Sequence, residues 1–126
     1  MVDIKKQISY WRDNALEDLS VARDLVRDAK VRHGLFFAHL AIEKALKASV
    51  CNTTGDIAPR IHNLVRLAEL AEIDLDAAQK DVLAEFNAFN LEGRYPNPLA
   101  PPVSQQEAME YFSKAEEILA WLIRLL

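Results

Sequence analysis

A chain of 126 residues, 51% hydrophobic and 27% charged, is long enough for one core that removes roughly two thirds of its unfolded surface from water, and short for two ordinary domains. Three glycines argue against a turn-rich β architecture, the net charge of −4 excludes a nonspecific polyanion coat, and the lone Cys51 excludes an internal disulfide or a Cys-based zinc cluster. The segment MVDIKKQISYWRDN has no apolar run after its lysines and nowhere do eighteen apolar residues occur together, so neither a signal peptide nor a spanning helix is expected. A cytoplasmic protein of one domain, residues 1–126, with no membrane association, is the expectation.

Ile4, Ile8, Trp11, Ala15, Leu19, Ala22 and Val26 recur at steps of three and four, which predicts a first amphipathic helix from Ile4 to about Arg27. The basic cluster Arg27, Lys30 and Arg32 before Gly34 suits a helix C-terminus, where exposed carbonyls carry partial negative charge. From Leu35, LFFAHLAIEKALKASV is apolar on nearly all sides, with His39, Glu43, Lys44 and Lys47 as its polar positions; such a helix is central in a bundle or lies at a subunit interface. It is expected to end near Cys51, before Asn-Thr-Thr-Gly and Pro59.

A short third helix is predicted over Ile61 to Ala68, and a fourth is capped by Asp74 or Asp76 and carries Ala78, Val82, Leu83, Phe86 and Phe89 at helical spacing. GRYPNPLAPP holds four of the five prolines and cannot continue a helix. Ser104 and Glu107 form a capping-box pattern, so the last helix starts at about Gln105, with Ala108, Phe112, Ala115, Ile118, Leu119 and Leu122 on one face. The fold class expected is all-α, an up-and-down bundle of four long helices plus one short helix.

The Gly-rich phosphate loop, His-Glu-x-x-His and Gly-x-Ser-x-Gly patterns do not occur, so common nucleotide-hydrolase, zinc-protease and esterase chemistries lose their basis. His39 has Glu43 four residues on, but two ligands make a poor metal site, and no metal or cofactor is expected. Glu43 and Lys47 stand in the favoured Glu-before-Lys order, which reads either as an exposed ion pair worth roughly 0.3 kcal/mol or as two charges lining a groove. Lys44 widens that polar stripe. Arg94-Tyr95-Pro96, placed in a loop after the fourth helix, offers a guanidinium fork and an aromatic ring to a phosphate and a base, or merely anchors the loop. Arg12, Arg23, Arg66 and Arg124 read as solvated-face charges.

Taken together, FFAHLAIEKALKA at 36–48, IHNLVRLAEL at 61–70 and FNAFNLEGRYP at 86–96 resemble the HEPN family, the higher-eukaryote and prokaryote nucleotide-binding domain. The resemblance covers most of the chain and implies a helical bundle that forms homodimers, in prokaryotes often paired with a minimal nucleotidyltransferase in toxin-antitoxin fashion. It also implies nucleotide or RNA binding, and in many members a metal-independent ribonuclease that uses an Arg followed four to six residues later by a His. After Arg94 come Tyr, Pro, Asn, Pro, Leu and Ala, so that pair is missing. Arg27 and His33 have the spacing but lie at the first helix junction, and the activity is not carried over to them. The resemblance therefore points to a noncatalytic ligand set of Arg94, Tyr95, Lys44, Lys47, Glu43 and His62. An endoribonuclease built on Arg94, Tyr95 and His62, and a dimeric interaction bundle without small ligand, are the alternatives.

Overall fold

The computed structural model describes residues 2–126. Among these it contains five helices and no strand: α1 (Ile4–Arg27), α2 (Val31–Thr54), α3 (Leu64–Leu70), α4 (Ala77–Arg94) and α5 (Gln105–Arg124). The expected four long helices and one short one are all present, and α2 packs against each of the other four. Its near-continuous apolar surface explains that place: Leu35, Ile42 and Leu46 are fully buried, together with Phe86 of α4 and Leu119 and Leu122 of α5. Successive long helices alternate in direction. Arg23 of α1 meets Glu116 of α5 at 2.8 Å, and the Gln105 amide at the start of α5 donates to the Val26 and Arg27 carbonyls at the end of α1.

The helix starts follow the cap chemistry of the sequence. Asp76, not Asp74, caps α4 in a reciprocal box with Gln79, and Ser104 does the same for α5 with Glu107. Asn63 accepts from the Arg66 amide at 3.0 Å and so starts α3 at Leu64, which leaves Ile61 and His62 in the preceding loop instead of in the helix. α2 ends at Thr54, with Gly55 left-handed at φ 69°, slightly beyond the expected boundary at Cys51.

One boundary differs from expectation for a reason of packing. α2 begins at Val31, so Gly34 lies inside it and does not mark its start. A Cβ on Gly34 would sit 2.5 Å from Val26 Cγ2 and 3.3 Å from the Ala22 carbonyl oxygen; the missing side chain is what lets α1 and α2 approach after a three-residue turn. Arg32 consequently falls in the first turn of α2, where a positive charge opposes the helix dipole, and not at the end of α1. It reaches instead to the far side of the junction and donates from Nη1 to the Gly93 carbonyl at 3.4 Å, at the C-terminal end of α4 where cations are favoured.

Alanine has a better helix propensity than glycine by about 1 kcal/mol, so a helix-only argument predicts that Gly34→Ala stabilises the protein. The α1–α2 contact predicts the reverse: a net loss of roughly 1–3 kcal/mol from overpacking, read as a lower urea midpoint at unchanged slope.

Candidate functional site

Phe36, His39, Glu43 and Lys47 recur at steps of three and four along α2 and so share one face. The loop before α3, the first half of α1 and the last turn of α4 close over that face. The Glu43 carboxylate, 4% exposed as a residue, is its centre: Oε2 lies 3.3 Å from Lys47 Nζ, and Oε1 accepts from His62 Nδ1 at 3.0 Å. Lys47 is also buried and stands over the Trp11 ring at 5.3 Å, a cation–π contact that ties in α1. The exposed i,i+4 pair of the simplest sequence reading is thus a buried ion pair with a third partner from a distant segment.

His62 is held twice. Its ring is fixed by Glu43, while its carbonyl accepts from His39 Nε2 at 3.2 Å. Those acceptors set both tautomers. His62 carries its proton on Nδ1, and its half-exposed ring turns Nε2 away from the carboxylate. His39 carries its proton on Nε2, and its Nδ1 is buried 4.0 Å from Glu43 Oε1 without a hydrogen-bond partner. Burial lowers the His39 pKa from 6.5 to about 4, against the opposing pull of Glu43; the positive charge of Arg94 adds to the depression and places that side chain within electrostatic reach. Burial also raises the Cys51 thiol, which makes it a poor nucleophile.

Arg94 is the last residue of α4, with Tyr95 as its C-cap, so it belongs to the helix and not to the loop after it. A Cβ on Gly93 would overlap the Phe36 ring at 2.4 Å; that close approach lets the Arg94 guanidinium fold over the same ring, 5.6 Å from its centroid. Its Nε donates to Asn90 Oδ1 at 3.3 Å, and among the described residues no carboxylate lies within ion-pair distance of it. Tyr95 is 72% exposed.

Of the residues expected from sequence, the structure therefore brings Glu43, Lys47 and His62 into one bonded cluster, with Arg94 near its His39 end. Lys44 departs from it: one step round the helix, it pairs with Asp18 of α1 at 2.7 Å. His39 is absent from the expected site residues; its spacing from Glu43 is the signal, but only the fold shows that a loop carbonyl completes its environment. Among the described residues no three His, Cys, Asp or Glu side chains are grouped so as to hold a metal ion, and no helix is long and apolar enough to cross a membrane.

Residues 8–126 match the family model described as the HEPN domain, and the chain belongs to that family. Its fold is similar to that of TT1696 from Thermus thermophilus, with a TM-score of 0.79 at 25% identity over 95% of this chain and 98% of that one. It is also similar to ST0689, described as an archaeal HEPN homologue, with a TM-score of 0.64 at 22% identity over 94% of this chain and 96% of that one. A comparison with curated proteins finds no match.

The His39 environment has a consequence for stability. The unfolded chain takes up a proton on this imidazole near pH 6.5 while the folded protein resists until about pH 4, so between these values the unfolded state binds more protons. The contribution is complete above pH 6.5 and is withdrawn as the pH falls toward 4, up to about 3 kcal/mol. Urea unfolding at pH 7 and pH 4.5 is expected to show that loss in the native protein and a smaller one in His39→Gln, which has no proton to gain.

Proposed function

We propose that this protein is a noncatalytic HEPN regulatory module that receives a nucleotide or RNA phosphate at Arg94, with Tyr95 beside it. It acts as a homodimer paired with a minimal nucleotidyltransferase, in the manner of a cytoplasmic toxin-antitoxin couple. The observation that carries the reading is the state of Arg94. A guanidinium fixed by Asn90 and by the Phe36 ring, exposed and without a carboxylate to neutralise it, is oriented in advance for an oxyanion. Tyr95 adds an exposed ring that can stack on a base, or a hydroxyl open to a partner enzyme.

The remaining members of the expected ligand set take graded parts in this proposal. His62, half-exposed and with Nδ1 taken by Glu43, keeps Nε2 for a ligand that extends from Arg94. Glu43 and Lys47 act through it, since both are buried and spend their charges on each other and on the imidazole. Lys44, paired with Asp18, contributes to the α1–α2 contact and stands aside from the ligand.

One observation favours a second reading, a metal-independent ribonuclease. A buried carboxylate that holds Nδ1–H of a half-exposed histidine leaves Nε2 as an oriented base. RNA cleavage in the presence of chelator that disappears in His62→Gln would establish it, and an intact RNA pool after incubation with the native protein would remove it.

For the principal reading, calorimetric titration with nucleoside triphosphates is the check. Arg94→Ala is expected to weaken binding roughly tenfold or more, the scale of a charge-assisted hydrogen bond to phosphate. Arg94→Lys should recover part of it, since a lysine keeps the charge but loses the fork. An unchanged affinity in Arg94→Ala would exclude the assigned site.

A further inference from the structure

On the other flank of the last α4 turn lies a half-open cavity of about 260 Å³, lined by the start of α2, the end of α4 and the proline-rich loop between α4 and α5. Its size sets the class of guest. It is far larger than the ~30 Å³ of a water molecule and slightly below the pockets of about 300–1,000 Å³ that take whole drug-sized ligands. One heteroaromatic ring system fits, and groups attached to it can lie at the open side.

The walls suit such a ring. Phe89 and Pro101 present apolar surface above the buried Leu35, and Phe89 is itself fixed by edge-on packing against Phe86 and Tyr111. The polar groups stand at the rim and are of mixed sign: Arg32 supplies donors, Glu92 supplies acceptors, and Asn97 supplies both. The hydrogen bond from Arg32 to the Gly93 carbonyl holds its guanidinium at the cavity. A purely anionic guest would face Glu92, and a cationic one would face Arg32. A neutral ring with a donor pair on one edge and an acceptor pair on another satisfies both.

Guanine has that pattern, with N1–H and N2–H₂ as adjacent donors for a carboxylate and O6 and N7 as adjacent acceptors for a guanidinium fork. We infer that the cavity beneath the proline-rich loop is a guanine-base subsite, with Glu92 and Arg32 reading the two edges of the base between Phe89 and Pro101. The sugar and phosphate stay outside, and Tyr95, which does not line the cavity, is left to a neighbouring base of an RNA or to its hydroxyl. Arg32, bonded to the carbonyl of the residue before Arg94, marks the route by which they would pass toward that residue. The inference rests on the reading of Arg94 as a phosphate contact and gives that site its base specificity.

Amide-resolved NMR titration with three probes separates the two parts. Guanosine carries the base without phosphate, tripolyphosphate carries phosphate without base, and adenosine has the wrong edge pattern. Guanosine is expected to shift the amides of residues 31–35, 92, 97, 99, 100 and 103, with an affinity at least tenfold above that of adenosine. Glu92→Gln and the cavity-filling Ala100→Leu should each weaken guanosine about tenfold and leave the tripolyphosphate response, which depends on Arg94, unchanged. No guanosine shift at the cavity while tripolyphosphate still perturbs Arg94 would overturn the base subsite and leave the phosphate contact standing. Guanosine shifts at the cavity with tripolyphosphate inert would support the base subsite and remove the phosphate contact. Equal response to adenosine would overturn the assignment of guanine.

Discussion

A carboxylate taken out of water costs several kcal/mol unless paired charges and hydrogen bonds replace its hydration, and Glu43 is such a carboxylate at the middle of the central helix. Lys47, one turn on, supplies the opposite charge but leaves Oε1 to be satisfied from elsewhere; His62, nineteen residues on in the chain, does so. That requirement brings the loop down onto α2. Once His62 is docked, its carbonyl meets His39, the next residue Asn63 caps α3, and Asn87 of α4 donates to Asn63 and accepts from the Leu64 amide. Helices α2, α3 and α4 are thus joined by polar bonds that start from one buried charge.

The same arrangement connects the cluster to the surface. His39 is kept neutral by its burial, so the polar stripe ends near Arg94 in an uncharged imidazole and not in a second cation or an acid. Arg94 then depends on two local features, the bare backbone of Gly93 against Phe36 and the Asn90 amide one turn earlier. Fold and candidate site are therefore not separate layers of the molecule: the residues that close the bundle at this end also orient the exposed guanidinium.

Much of the fold is legible in the sequence because it depends on short-range chemistry. Helical spacing locates all five elements, and Ser104 with Glu107 marks the start of α5 to the residue. The boundary at Gly34 misleads because glycine signals a break in isolation, whereas here it is required by the neighbouring helix. Arg32 falls at a different helix terminus from the expected one for the same reason. In the site, Glu43, Lys47, His62 and Arg94 carry a legible motif. The burial of Glu43 and Lys47 and their bonding to His62 depend on a loop that returns across about twenty residues, and no spacing rule reports it. Lys44 shows the limit from the other side: adjacent in sequence to Glu43, it faces α1 and serves Asp18.

Glu43 and Lys47 form a buried, mutually dependent pair at the centre of this end of the bundle, and a double-mutant cycle on unfolding free energy tests that directly. Glu43→Gln and Lys47→Met are each expected to cost about 3–5 kcal/mol, because each strands a buried charge. The double variant should lose clearly less than the sum, with a coupling of at least about 1 kcal/mol. Small and additive losses would contradict the account, for they would mean that the two charges are solvated and that the loop is held by something else.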